Sequence, residues 1–214
     1  MEFPRLQIRR VCSAGEPAFE ALVNIYTEAH VPSERKSREQ LEAMVQRPGY
    51  FFLAVAESNL VVGFSIVRVF DDSDAALLEY IAVARERRSQ GIGQRLLAEV
   101  ANFDAFSSKF LLAEVDSDKS ATVDQAERIR RKTFYRRVGW REVDQLRYLM
   151  PPVSDQMPPD MDMLVYQRDV PLSIKREHLK QWLERCYVDV YGMSADDARI
   201  EAMVHKLPED VRLI

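Results

Sequence analysis

The sequence holds only two cysteines in 214 residues, Cys12 and Cys186, at opposite ends of the chain. So few, so far apart, exclude a disulfide scaffold and a local zinc site, and predict reduced thiols in a cytoplasmic protein. Histidine is scarce too. His30, His178 and His205 form no HExxH or clustered spacing, so no metal ligands are assigned. No apolar run approaches the roughly 18 residues of a membrane span, and the start Met1-Glu2-Phe3-Pro4 does not read as a signal peptide, so no membrane partner is expected. A large excess of one charge is also missing. The net charge of −4 arises wholly in residues 151–214, which carry 12 acidic and 8 basic side chains, whereas residues 1–150 carry 22 of each. Local basic clusters in a neutral domain suit a small polyanion better than a long nucleic acid.

What is present is a foldable chain, 47% hydrophobic and 30% charged. Its length fits one domain of about 150 residues with an extension, or two small lobes. Arg5 to Val11 alternates as a strand, and Pro17 opens a helix with Phe19, Leu22, Val23 and Tyr26 on one face. Pro32 breaks it. Ser37 with Gln40 forms a capping-box start for a helix to about Gln46. Strands are expected at 50–56, 60–70 and 75–83, as an antiparallel meander, and a helix at 91–106. Next come a strand at 110–115, a basic helix at 122–138 closed by Gly139, and strands at 140–150 and 161–168. Strand, helix, strand between 75 and 115 requires a parallel pair. The fold class expected is α/β in the mixed α+β sense: a central, mostly antiparallel sheet with one splayed parallel strand pair, flanked by helices. A C-terminal helical hairpin follows, its helices capped by Ser173 and Ser194, with a stripe of Leu179, Trp182, Leu183, Cys186 and Tyr187. That stripe must bury against the main domain or a second subunit.

The chemistry concentrates at Arg88-Ser89-Gln90-Gly91-Ile92-Gly93-Gln94-Arg95, where a strand enters a tight loop and a helix begins at once. Gly91 and Gly93 remove side chains where the N–H groups of residues 89–94 point outward together at the positive end of a helix. That is an anion site suited to a pyrophosphate. A Rossmann fingerprint would need a glycine at position 96, which is leucine. A P-loop would need Lys-Ser/Thr after Gly93, where Gln94-Arg95 stand. Strand alternation puts Glu79, Ile81 and Val83 on one face, and Glu114 lies on the neighbouring strand. A carboxylate on an apolar strand is costly to bury without a partner or a task. Either could act as a base, and either could be a structural ion pair.

The Arg88-x-x-Gly91-x-Gly93 element after a strand ending Ala82-Val83, together with Phe134-Tyr135-x-x-x-Gly139-Trp140, resembles two motifs of the GNAT superfamily of acetyl-CoA-dependent N-acetyltransferases. The resemblance covers about residues 5–168. It implies an acetyl-CoA-binding catalytic domain at 1–168 and a helical extension at 169–214. It implies that acetyl-CoA or coenzyme A is held by backbone amides from Arg88 to Arg95, including Ser89, Gln90, Ile92 and Gln94. The backbone of Ile81, Ala82 and Val83 would pair with the pantetheine arm, and Tyr135 would protonate the departing thiolate. One position departs: many members carry an asparagine seven residues before that tyrosine, and here it is Arg128.

The expected activity is transfer of an acetyl group from acetyl-CoA to a primary amine of a small molecule by direct attack. The alternatives are a protein N-terminal or lysine acetyltransferase, and a non-catalytic acyl-CoA-binding regulatory module. Acceptor selectivity is assigned to the charged link His30 to Lys36, with Arg35 or Arg38 holding a carboxylate and Glu34 an ammonium group. A homodimer through the C-terminal helices is the expected assembly.

Overall fold

A computed structural model of the protein describes residues 6–30, 35–119, 121–152 and 158–214. The elements are β1 (Gln7–Val11), α1 (Pro17–Ala29), α2 (Arg38–Gln46), β2 (Tyr50–Glu57), β3 (Leu60–Val69), β4 (Ala75–Val83), α3 (Ile92–Ala101), β5 (Phe110–Asp116), α4 (Gln125–Arg137), β6 (Arg141–Glu142) and β7 (Met161–Tyr166). The C-terminal part adds β8 (Ser173–Lys175), α5 (Arg176–Arg185), α6 (Ala198–Val204) and β9 (Asp210–Arg212). Seven strands form one sheet in the order β1-β2-β3-β4-β5-β7-β6, and β8 pairs with β9 in a separate ribbon. All the sheet's recorded ladders are antiparallel except β4 with β5, which run parallel through Ala75–Leu77 only. By contacts the chain forms two compact units: Met1–Val69 with Leu78–Ser107, and Phe70–Leu77 with Ser108–Ile214.

In the first unit, the expected signals produce the expected elements. Pro17 sits at the start of α1, and Ser37 and Gln40 form a complete capping box, with the Gln40 N–H donating to Ser37 and the Ser37 N–H to Gln40. The apolar faces of α1 and α2 bury Phe19, Leu22, Tyr26, Leu41 and Met44 with Phe52, Phe64 and Ile66 of the sheet. Helix α3 ends at Ala101, five residues before the predicted limit, because Asn102 turns its side chain back to the Ala98 carbonyl at 2.7 Å. Phe103 and Phe106 then stack on each other instead of extending the helix.

In the second unit, the predicted strand 140–150 is only Arg141–Glu142 with isolated bridges at Val143 and Tyr148. Gln145 takes a left-handed conformation (φ +61°) that no continuous strand tolerates. The C-terminal segment is more than a hairpin of helices. Ser173 belongs to β8 and α5 starts at Arg176, without a side-chain cap. A π-helical turn, Cys186–Val190, prolongs α5, and Asp197 rather than Ser194 caps α6. Leu179, Trp182, Leu183, Cys186 and Tyr187 share one core with Leu77, Leu112, Met163 and Val165. The stripe therefore buries against strands β4, β5 and β7, the first of the two expected alternatives. Among the described residues, no helix is long and apolar enough to cross a membrane.

The basic helix α4 is anchored by charge. Its Lys132 is 1% exposed and reaches Asp118 at 2.7 Å, Glu142 at 2.7 Å and Asp162 at 2.8 Å. Lys119 joins Glu142 and Asp162, and Arg136 adds a bond to Glu142 at 2.9 Å. Lys132 is the buried exception on this helix: Arg130, Arg131, Arg136 and Arg137 are exposed, Arg131 pairing with Asp116, while the partly buried Arg128 pairs with Asp124 and the Ser117 carbonyl. Removing the buried ammonium takes the one fully buried cation from three carboxylates, leaving Glu142 and Asp162 to the more exposed Lys119 and Arg136, a change that costs about 3–5 kcal/mol. Lys132→Met is expected to lower stability by that amount in urea unfolding followed by circular dichroism. A loss under 1 kcal/mol would contradict the anchoring role.

Candidate active site

The glycine loop takes shape from its backbone. After β4 a single 3₁₀ turn, Arg85–Arg87, leads to Ser89 (φ +63°) and Gly91 (φ +76°), two left-handed residues that aim the chain into α3. Gly91 is the N-cap and has no side chain to satisfy the N–H groups of the first turn. A Cβ there would meet nothing within 4 Å, so the cost of a larger residue is backbone strain alone. The Arg88 Nε donates to the Val83 carbonyl at 3.2 Å and the Gln90 Nε2 to the Glu86 carbonyl at 3.2 Å. Both side chains brace the loop, which leaves its amides to present positive charge.

Strand β4 changes character along its length. Ala75 to Leu78 are buried, the Glu79 side chain is nearly so, and Tyr80 to Val83 are partly exposed, which covers the predicted Ile81, Ala82 and Val83. A residue that the sequence reading passed over holds this end. A Cβ on Gly63 of β3 would come within 3.0 Å of the Ala82 carbonyl and 3.4 Å of the Leu96 side chain. Glycine there lets β3, the end of β4 and α3 approach closely. Its signal was present in the sequence as a glycine inside an apolar strand.

Glu79, also on β4, turns a side chain that is only 6% exposed toward Lys36, whose Nζ lies 3.4 Å from Oε1. Neither carboxylate oxygen accepts a hydrogen bond of full geometry among the described residues. Burial pushes its pKa up, while Lys36, Tyr50 and Arg47 pull it back. Of the predicted acceptor residues, Arg35 donates to the His30 carbonyl at 2.6 Å, and Arg38 is taken by Glu20 and Glu42. Arg38 is thus committed to ion pairs. Glu34 lies outside the described residues. Lys36, not singled out from the sequence, is the side chain of this link that reaches a strand carboxylate.

In the second unit, Tyr135 projects from α4 between Lys132 and Arg136, with the edge of Trp140 packed at 5.3 Å. Burial pushes its pKa up to about 12. The hydroxyl therefore keeps its proton throughout the neutral range, as a donor must. Glu114 of β5 is differently placed from Glu79. The Tyr148 hydroxyl donates to one of its oxygens and the Tyr191 hydroxyl to the other. Two phenols hold Glu114 in one pose, and one of them, Tyr191, comes from the apolar stripe of the C-terminal segment, where its pattern signalled packing and not a contact with Glu114.

With this geometry in view, comparison with known proteins is informative. Residues 47–142 match the family described as acetyltransferase (GNAT) domain. No curated protein matches the chain significantly. Among solved structures, a putative GNAT-family acetyltransferase from Bacteroides thetaiotaomicron superposes with a TM-score of 0.73 at 18% identity, over 88% of this chain and 99% of that one. A spermidine N-acetyltransferase SpeG chimera from Vibrio cholerae and hSSAT gives 0.57 at 14%, over 76% and 95%. A GNAT-family acetyltransferase from Elizabethkingia anophelis with acetyl-CoA bound gives 0.51 at 19%, over 76% and 97%. At these identities the likeness is one of fold.

The burial of Tyr135 has a direct readout. With tyrosines labelled at the ring Cζ, the resonance lost in Tyr135→Phe is expected to titrate near pH 12 in the folded protein. A midpoint near the ordinary value of about 10 would show that the ring is solvated.

Proposed function

We propose, for a chain that belongs to the GNAT superfamily of acetyltransferases, that it is an N-acetyltransferase whose acceptor is a primary amine of a small molecule. The acyl donor is acetyl-CoA. The observation that carries the reading is the loop with left-handed Ser89 and Gly91 at the uncapped start of α3. It presents backbone amides at the positive end of a helix, where a diphosphate can be held. In this reading the amides of Arg88 to Arg95 hold the diphosphate, and the half-exposed backbone of Ile81, Ala82 and Val83 accompanies the pantetheine arm. When bound, the donor supplies a thioester carbonyl open to an amine.

Glu79 and Tyr135 divide the proton work. Glu79 receives the amine's proton: it is buried, its oxygens accept no hydrogen bond of full geometry among the described residues, and burial raises its proton affinity. Glu114 is the weaker base candidate, because both oxygens already accept phenolic protons. Tyr135 gives its proton to the leaving thiolate. Its raised pKa makes it a reluctant acid toward a thiol of ordinary pKa about 8.5, so the transfer depends on desolvation raising the thiolate in the same way.

The test is release of free thiol from acetyl-CoA across a broad panel of amines, with peptide acceptors in parallel. Thiol released with small amines is expected, and peptides outcompeting them would change the acceptor class. Tyr135→Phe should lower kcat about 100-fold with the KM for acetyl-CoA unchanged. Gly91→Val should raise that KM about tenfold, since a β-branched residue at φ +76° distorts the loop. The acidic limb of kcat/KM should lie above the usual carboxylate range and vanish in Glu79→Gln, because activity needs the ionised form of a group whose pKa is raised. No thiol release with any amine, in protein shown to be folded, would sink the proposal.

A further inference from the structure

Among the described residues, Lys132 and Lys36 both meet nearly buried carboxylates, and the two contacts are built to different standards. Lys132 is 1% exposed and has three carboxylates at 2.7–2.8 Å, the distances of charge-assisted hydrogen bonds. That is what a permanent ion pair looks like in this chain. Lys36 keeps 22% of its side chain exposed, meets the single carboxylate Glu79, and stops at 3.4 Å, outside hydrogen-bond geometry. Among the described residues neither oxygen of this carboxylate, 6% exposed, accepts a hydrogen bond of full geometry, with the Tyr50 hydroxyl the other donor beside it. An under-solvated buried carboxylate is expensive to keep, and it asks for a cation that approaches more closely than Lys36 does.

Lys36 is also mounted so that it can leave. It stands just ahead of the Ser37 cap of α2, and its backbone N–H is held by the Tyr26 hydroxyl at 2.7 Å. The main chain is therefore fixed while the four-carbon side chain keeps its own torsions. The surroundings suit an alkylammonium. The Tyr26 ring meets those of Tyr80 and His30 at 5.0 and 4.8 Å, and the charge of Glu79 is felt by both Tyr26 and Tyr50. Aromatic faces beside a carboxylate favour a cation with an apolar stem.

We propose that Lys36 is an internal stand-in for the acceptor: its primary ammonium occupies the subsite on Glu79 until a substrate's primary alkylammonium group displaces it. The acceptor class is accordingly a flexible primary alkylamine, of which the lysine side chain is a tethered example. This rests on the reading of Glu79 as the group that receives the acceptor's amine. Displacement makes acceptor binding weaker than the subsite itself allows, by the fraction of molecules in which Lys36 is in place.

The test uses n-butylammonium, which has the stem length of lysine, on the full chain by calorimetry. Lys36→Ala should bind it about tenfold more tightly than the unaltered protein, and adding Glu79→Gln should abolish that gain. Tetramethylammonium, which has no N–H, should not replace it. Equal affinity for the unaltered protein and Lys36→Ala, or a gain that survives Glu79→Gln, would overturn the inference. Should Lys36→Ala fail to fold, the unaltered protein decides. Saturating n-butylammonium is expected to shift the Lys36 Cε resonance, and an unmoved resonance counts against displacement. The thiol-release assay separates the two ideas. Binding without acetylation of any amine removes the proposed function and leaves the subsite standing, and acetylation without displacement removes the stand-in alone.

Discussion

The burial of Lys132 is the constraint on which the second unit is organised. An ammonium 1% exposed can exist only where several carboxylates converge, so Asp118 after β5, Glu142 on β6 and Asp162 on β7 must all arrive at one point on α4. That requirement fixes the helix in rotation as well as position. Tyr135, three residues on, inherits its orientation from it, and Arg136 closes the arrangement on Glu142. An apolar contact could slide by a fraction of a turn; a three-way charge contact cannot.

The same physics, applied less completely, separates the two carboxylates that a strand pattern could not separate. Both oxygens of Glu114 accept phenolic hydroxyls, whereas those of Glu79 accept no hydrogen bond of full geometry among the described residues. Both lie on strands, and both looked alike as charged interruptions of apolar runs. What distinguishes them arrives from far along the chain, from Tyr148 and Tyr191 in one case and from Lys36 in the other.

Much of the fold was legible because its signals are local. Pro17, the Ser37–Gln40 capping box and the glycines at 91 and 139 each act within a few residues of themselves, and each marks a boundary that the structure keeps within a few positions. The loop was legible for the same reason: glycine spacing and backbone polarity need no distant partner. The errors fell where distant contacts decide. Ser173 looked like a cap but pairs with Arg212 across the β8–β9 ribbon. Arg38 looked like an exposed substrate clamp, but Glu20 and Glu42 claim it. Lys132 gave no local sign of its burial because its carboxylate partners are spread from position 118 to 162.

Trp182 donates its indole N–H to Asp74 at 2.8 Å and is fully buried, and Trp140 lies against Tyr135. These are the two tryptophans of the sequence, and both belong to the second unit. Intrinsic fluorescence excited at the indole band is consequently a one-sided optical probe. Both reporters sit in the unit that carries Tyr135, and none sits in the one that carries the glycine loop. An emission change on adding a ligand therefore has a known address before any residue is altered.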